Sequence, residues 1–495
     1  QLAGDPAHGR ASQFFWDAVV ARHTYVTGGN SEGEHFGPPG QLSDRLGTNT
    51  AETCNTYNML KLTSLLFERE PRAQYADYAE RALWNHILAA RHPATGRVCY
   101  FLTLQPGATR HFIGELDFTC CNGSGMEIPL RTLDYLFYHS DDALWVNQFI
   151  PAEAQWSQRG VTIRQETAFP DESQTKLTLR CAAPTTFALH VRRPPWAGDG
   201  FAIAVNGEQV DVDAEPGSFA SLAREWADGD VVLVSLPDPL PLRTEPMPDN
   251  DRRVAILAGP IVLAGDLSDA EDDDRVPALV TDGRPVEQWV VPTGERPLRY
   301  RTQGVGRPRD VALLPFYAAY DGPATVYWDL FDADQWAAHE AQYRAAQQRR
   351  AALDARTVDV LALGEMQPER DHGVAGEKTA AGEFQRRKFR HAWDGGWFSC
   401  ELAVPAAGPA ELIVDYWSGE TGAREFDVQV DGQRIATTSL QMDAPGQFWQ
   451  QTYPLPVELI AGKERVTVRF QAQPGNYAGG VFGIRVAAPE SEPRP

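Results

Sequence analysis

The sequence predicts a multidomain α+β chain, with a helical first part followed by two β domains that a short helix separates. Three observations carry this. Apolar residues recur at helical spacing up to about residue 145, they alternate with period two over most of the remainder, and an Ala-, Gln- and Arg-rich run at 332–356 interrupts the alternation. The chain has 495 residues, too many for one ordinary core, so two to four domains are expected. The predicted divisions are 1–145, 146–331, the linker 332–356 and 357–495.

In the helical part, Met59, Leu60, Leu62, Leu65, Leu66 and Phe67 make one apolar face, which predicts a helix over Glu52–Glu70 with Asn49 as its cap signal and Pro71 as its stop. Tyr75, Tyr78, Leu83, Ile87 and Ala90 predict a second helix over 73–91. A third is expected from Met126 to His139, with Asn122-Gly123-Ser124-Gly125 as a tight turn before it. From Leu144 onward Val161/Ile163, Leu177/Leu179/Cys181, Phe187/Leu189/Val191 and Phe201/Ile203/Val205 alternate with polar residues, and Asn206-Gly207 is a hairpin signal. Val231–Leu236 and Val254–Leu263 read as buried strands, and Val326-Tyr327-Trp328 as the last strand of this domain. The acidic run Asp266–Asp274 reads as a solvated loop. Past the linker, Leu412/Val414, Phe426/Val428/Val430 with the turn Asp431-Gly432, and Val466/Val468/Phe470 predict a compact C-terminal β-sandwich. A loose tail, Pro489–Pro495, follows it, and no repeat of solenoid period is present.

Composition narrows the function. A net charge of −22 leaves no basic stripe for nucleic acid or an anionic membrane. No run of 18 apolar residues occurs, so no bilayer-spanning helix is predicted, and Gln1–Arg10 lacks the pattern of a signal peptide. Compartment stays open, with a periplasmic or extracytoplasmic place as the expectation. The 13 Trp, 22 Phe and 15 Tyr suit β-domain cores and also sugar stacking. Six cysteines in so long a chain are no disulfide scaffold; Cys99, Cys181 and Cys400 sit in or near apolar patterns and read as small buried residues.

The remaining three cysteines carry the chemistry. Cys120 and Cys121 are adjacent, a poor arrangement for a mutual disulfide but a good one for sharing a soft metal ion. With Cys54 and its close carboxylate Glu52 they form a four-ligand set suited to zinc. The spacing of the four is unlike that of a zinc finger or ribbon, so the site joins an existing fold. Upstream, Thr27–Gly37 holds Glu32 and Glu34 among glycines, and an acid/base group is expected there because glycine lets a backbone approach a ligand closely. His35, His86 and His111 are further pocket candidates.

Taken in order, Gly28-Gly29, Gly33-Glu34-His35-Phe36, Glu52-Thr53-Cys54 and Cys120-Cys121 resemble the motif set of the β-L-arabinofuranosidase group, glycoside hydrolase families 127 and 146. Asn55–Leu62 and Cys121–Glu127 lean toward the second family. The resemblance implies that residues 1–145 are the C-terminal part of an (α/α)6 catalytic toroid, followed by two β-sandwich domains, with a carbohydrate-binding-like character as the expectation for the last. It implies that Glu52, Cys54, Cys120 and Cys121 bind Zn2+, that Cys120 is the nucleophile and that Glu34, in its Gly-Glu-x-Phe context, is the acid/base, with Glu32 as the competing carboxylate. Tyr100, His35 and Glu32 would contact substrate. The implied activity is retaining release of terminal β-L-arabinofuranose from arabinose-containing plant oligo- or polysaccharides. Family members carry a long helical region upstream of the first motif, so the chain is expected to need that half of the toroid. A glycosidase for another plant furanose, such as the branched acidic sugar of pectin, and a carbohydrate-binding protein with structural zinc are the rivals. Disulfide formation among the same cysteines is a third.

Overall fold

The computed structural model describes residues 5–114, 117–268, 278–294, 298–384, 387–420, 422–440 and 448–489. Most of the acidic run 266–274 and of the tail 489–495 lies outside the described residues, as do residues 1–4. The chain divides into two compact units, 1–339 and 340–495.

In the first unit, α1 (Pro6–Arg22) starts with proline in its first turn and with Asp5 accepting the Ala7 N–H at 2.8 Å. Its buried residues, Trp16 and Val19, join a core with Met59, Leu60, Leu66 and Phe67 of α2 (Thr53–Arg69) and with Tyr75 and Tyr78 of α3 (Ala73–Ala82). The Trp16 indole N–H donates to the Thr63 hydroxyl at 2.8 Å, so the polar edge of the largest side chain in this core is satisfied.

Each of the three expected helices differs from its expectation at one or both ends. Glu52, not Asn49, is the cap residue of α2, and it makes no side-chain capping bond because its carboxylate faces the cysteines. Helix α3 stops at Ala82, and Leu83–Ile87 widens into a π-helical turn. There Asn85 donates to the Arg81 and Pro260 carbonyls and accepts the Val262 N–H, so the turn couples to a strand as well as to its own helix. The expected turn at 122–125 is helical: α4 spans Cys120–Arg131. The Asn122 side chain accepts the Thr119 N–H at 2.8 Å and its hydroxyl at 2.9 Å, a cap that starts the helix before the glycines. Gly125 is required by packing, since a Cβ there would lie 2.6 Å from Val98 Cγ1. Residues 132–135 tighten to a 3₁₀ turn and Phe137–His139 is a strand, so the third helix ends earlier than its spacing suggested.

Residues 137–331 form three sheets. Phe137–His139, Ala143–Val146, Thr185–Arg193 and Ser218–Trp226 make a four-stranded sheet. A six-stranded sheet contains Val161–Thr167, Gln174–Cys181, Val231–Ser235 and the predicted hairpin at Asn206-Gly207. Residues 242–331 supply a third, ten-stranded sheet, in place of membership in one sandwich over 146–331. Its strand Asn250–Ala258 explains the unbroken apolar run at 254–258. Val254, Ile256 and Ala258 enter the β core with Leu189 and Val232, while Ala255 and Leu257 point the other way, into a cluster with Tyr25, Val26, Ala51, Cys99 and Leu102. A strand buried on both faces therefore backs the loops that build the site. Arg192, fully buried on Thr185–Arg193, bonds Asp77 at 2.7 Å and Glu80 at 2.5 Å on α3.

Helix α5 (Ala333–Ala355) crosses the division between the units, at the predicted linker. In the second unit a four-stranded sheet orders Thr357–Leu361, Gly483–Ala487, Ala410–Trp417 and Phe448–Leu455. A six-stranded one holds Ala375–Phe384, Arg387–Ala403, Arg465–Ala472 and the Asp431-Gly432 hairpin. Phe398, Phe426, Phe470 and Tyr416 fill the core that both sheets share. Among the described residues no helix is long and apolar enough to cross a membrane.

Candidate active site

Three backbone segments lie side by side under the site. Ala51 N–H donates to the Ser31 carbonyl, Gly33 N–H to Asn49, Thr53 N–H to Tyr100 and Leu102 N–H to Ala51. The result is an irregular platform from the 30–35 loop, the segment before α2 and the 98–102 segment. Ser31, Glu34 and Ala51 all hold positive φ, 80°, 70° and 56°, an uncommon state for side chains other than glycine that only surrounding structure can maintain. Gly28 and Gly29 serve this platform in a different way from the one expected. A Cβ at Gly28 would stand 2.7 Å from the Ala82 backbone, and one at Gly29 2.3 Å from His86 Nδ1. These glycines approach protein, on the inner side of the loop.

Over the platform two helices begin. Cys54 is the second residue of α2, and Cys120 and Cys121 are the first two of α4, so all three thiols sit at helix starts, where backbone N–H groups can face a thiolate; burial still holds Cys120 above an ordinary thiol. The ligand atoms of Glu52, Cys54, Cys120 and Cys121 all lie within 4.8 Å of one another. The Cys120 sulfur is 3.6 Å from Glu52 Oε1 and 4.0 Å from the Cys121 sulfur, and Cys121 is 3.9 Å from the same carboxylate oxygen. Tetrahedral zinc with sulfur at ~2.3 Å sets its ligands roughly 3.7 Å apart, so the set fits such an ion.

Electrostatics supports the same conclusion. Burial, followed by the charges of Cys54 and Glu34, pushes the Glu52 carboxyl up to about 7. The Cys54 thiol is drawn down to about 6, chiefly by the hydrogen bond from Cys121, with Ser124 contributing through a 3.1 Å contact to the sulfur. Cys121 is held far above an ordinary thiol by its side-chain hydrogen bond with Cys54 and by burial. Four acidic groups this close cannot all ionise without a cation among them.

Tyr100 links this cluster to the loop. Its hydroxyl donates a short hydrogen bond to Glu34 Oε1 and stands 3.6 Å from the Cys120 sulfur. The hydrogen bond to Glu34, then the one with Cys120, raises its pKa well above that of an ordinary phenol, so it stays a donor. Cys120 and Glu34 are both exposed, whereas Cys54 and Cys121 are buried. The cluster therefore presents Cys120 to solvent on the side where Glu34 stands.

Not every sequence candidate converges here. Glu32 turns to Arg45, 3.4 Å away. His35 and His111 are exposed, and His86 is fully buried behind Gly29, with its Nδ1 3.3 Å from the Thr56 hydroxyl. Cys99, Cys181 and Cys400 are buried and are not members of the ligand set; Cys99 lies behind it, its carbonyl accepting the Thr53 hydroxyl at 2.8 Å and its thiol pushed up to about 12 by burial. Ser124 escaped the sequence reading because its glycine neighbours suggested a turn; as a helical residue four past Cys120 it belongs on the same face. A cleft of about 750 Å3 lined by Trp16, Asp77, Arg81, Trp196 and Glu245 lies among α1, α3 and the third sheet. None of the four ligand residues lines it, and its principal charges are already paired, Arg81 with Glu245 at 2.5 Å.

Comparison with known proteins bears on the fold and the family resemblance. Residues 1–133 match the model of the β-L-arabinofuranosidase GH127 catalytic domain, residues 143–238 that of the GH127 middle domain, and residues 352–487 a family of unknown function. A curated relative, the non-reducing end β-L-arabinofuranosidase of Bifidobacterium longum subsp. longum, is 24% identical over 298 residues, covering 55% of this chain and 44% of that protein. Among solved structures, a GH127 β-L-arabinofuranosidase from Geobacillus stearothermophilus T6 superposes with a TM-score of 0.53 at 23% identity, over 66% of this chain and 58% of that one. A second GH127 β-arabinofuranosidase gives 0.53 at 23% identity, over 67% and 57%. The chain thus spans about half the length of these relatives. Residues 1–133 and 143–238 are thus similar to the catalytic and middle domains of GH127 β-L-arabinofuranosidases, and the fold is one seen in GH127 structures.

Proposed function

We propose that the protein is a zinc-dependent retaining exo-glycosidase that releases terminal β-L-arabinofuranose from plant glycans through a covalent intermediate on Cys120. The observation that carries this reading is the Tyr100 hydroxyl, which joins Glu34 to Cys120 beside the ligand set. One oxygen atom separates the two groups, a span of the order of the roughly 5 Å that retaining enzymes keep between nucleophile and acid/base.

In the first step the Cys120 sulfur attacks the anomeric carbon as the C–O bond to the leaving group breaks, and Glu34 gives its proton to that oxygen. In the second, Glu34 takes a proton from water, the water oxygen bonds to the anomeric carbon, and the sulfur leaves. Two inversions retain configuration. Tyr100 orients the Glu34 carboxyl through both steps, and its hydroxyl oxygen faces the Cys120 thiol. Glu52, Cys54, Cys120 and Cys121 would hold the zinc, which when bound favours the thiolate form of sulfur that the second step must regenerate.

Helices α1–α4 are proposed as part of an (α/α)6 toroid. The face of α4 supports it: Met126 and Leu130 are 76% and 75% exposed, and Leu133 just beyond is 61% exposed, an apolar stripe at helical spacing of the kind a neighbouring helix covers.

Hydrolysis of a panel of aryl furanosides by the zinc-loaded protein, with and without chelator, tests the reading. Chelator-sensitive turnover of the β-L-arabinofuranoside with β-arabinose as first product is expected. Turnover indifferent to the chelator, or an inverted first product, overturns it.

A further inference from the structure

The second unit, whose family has no known function, carries a feature that the catalytic reading does not use. At one rim of its sandwich, strand ends from both sheets meet. Trp417 and Phe448 are direct partners in the four-stranded sheet, at the last residue of one strand and the first of the next. Phe384 pairs with Arg387 at the end of a hairpin in the six-stranded sheet. The Trp417 ring lies 5.2 Å from Phe384 and 4.9 Å from Phe448, and Phe448 rests in turn on the buried Phe482 at 4.9 Å. Phe384 is 43% exposed, while Trp417 and Phe448 are half-buried, so part of the ring surface is open to solvent.

Polar groups are interleaved with these rings and already oriented. The Arg387 guanidinium lies 4.4 Å above the Phe448 ring and bonds Asp415 at 2.5 Å. The other Asp415 oxygen accepts the Gln450 amide at 3.0 Å. Arg387 and Gln450 have donors beyond those used here, and both are solvent-accessible. A closing cap on a β core would be apolar throughout, and a protein-docking face would place its apolar groups at the centre with charges at the rim. Here rigid aromatic faces alternate with a planar fork, a carboxylate and an amide, the few placed polar groups of a ligand site.

We infer that Phe384, Trp417 and Phe448, with Arg387, Asp415 and Gln450, form a binding surface for a neutral glycan chain. A sugar ring has an apolar C–H face for the aromatic rings and a belt of hydroxyls for the polar trio. The net charge of −22 disfavours polyanions, which selects neutral pentose- or hexose-rich chains over acidic ones.

Native gel electrophoresis of the full chain in gels containing arabinan, arabinogalactan or xylan tests this, with polygalacturonate as the acidic control. Retardation by at least one neutral polysaccharide is expected, with affinity reduced roughly tenfold in Trp417→Ala and largely kept in Trp417→Phe. Turnover of a small aryl arabinofuranoside should be equal in all three proteins, which separates this surface from the catalytic site. No retardation by any neutral polysaccharide, retardation by polygalacturonate alone, or wild-type binding in Trp417→Ala overturns the inference. If Trp417→Ala lowers the melting temperature, Gln450→Ala decides: a several-fold loss supports the surface, and unchanged binding overturns it.

Discussion

The Tyr100 hydroxyl stands 3.6 Å from the Cys120 sulfur while donating to Glu34, so a single phenol touches both groups proposed to share the reaction. Its position follows from backbone geometry. The Tyr100 carbonyl accepts the N–H of Thr53, the first residue of α2, and thereby ties the phenol to the helix that carries Cys54.

Replacing Tyr100 by Phe removes that bridge and leaves the aromatic ring. The account expects kcat to fall roughly 10- to 100-fold, the value of a hydrogen bond to a charged group, with zinc content unchanged. Steady-state kinetics alongside metal analysis checks this. Full activity in the variant would mean that Glu34 is oriented by something else.

Ser124 bonds the Cys54 sulfur at 3.1 Å, in the manner of outer groups that orient metal ligands. Ser124→Ala is expected to weaken zinc binding about tenfold or more, measured by competition with a chromophoric chelator, while secondary structure is kept. Affinity equal to wild type would assign Ser124 a capping role only.

His86 makes stability depend on pH. Burial, aided by the Arg110 charge, lowers its pKa to about 3. Its Nε2 has no hydrogen-bond partner among the described residues. The unfolded chain takes up a proton below about pH 6.5 that the folded protein refuses until about pH 3. The unfolded state therefore binds more protons across that window, and stability falls as pH drops through it. At ~1.4 kcal/mol per pH unit the loss is on the order of 3–5 kcal/mol at most. Unfolding in denaturant at pH 7 and pH 4 should show a smaller difference for His86→Gln than for wild type. Equal differences would remove His86 from the explanation.

The chemistry-bearing residues were more legible in the sequence than the local structure that positions them. Glu52, Cys54, Cys120 and Cys121 stand out because soft-metal ligands have few other uses in that grouping, and the structure brings their atoms together. Gly28-Gly29 stood out as well, but composition could not tell close approach to a ligand from close approach to Ala82 and His86. Ser124 was hidden by the glycines on either side, whose poor helix propensity is outweighed by the Thr119–Asn122 cap and by packing on Val98. The run Val254–Leu263 read correctly as buried. That its alternate residues face two different cores, and so support the site from behind, depends on tertiary packing that periodicity does not encode.

The central claim is that Cys120 is the nucleophile. Rapid quenching of the zinc-loaded protein during turnover of an aryl β-L-arabinofuranoside, followed by peptide mass mapping, tests it directly. The account predicts one pentosyl group on the peptide containing Cys120, on its sulfur, and none in Cys120→Ser. A sugar found on Glu34 or Glu32, or undiminished turnover in Cys120→Ser, would contradict it.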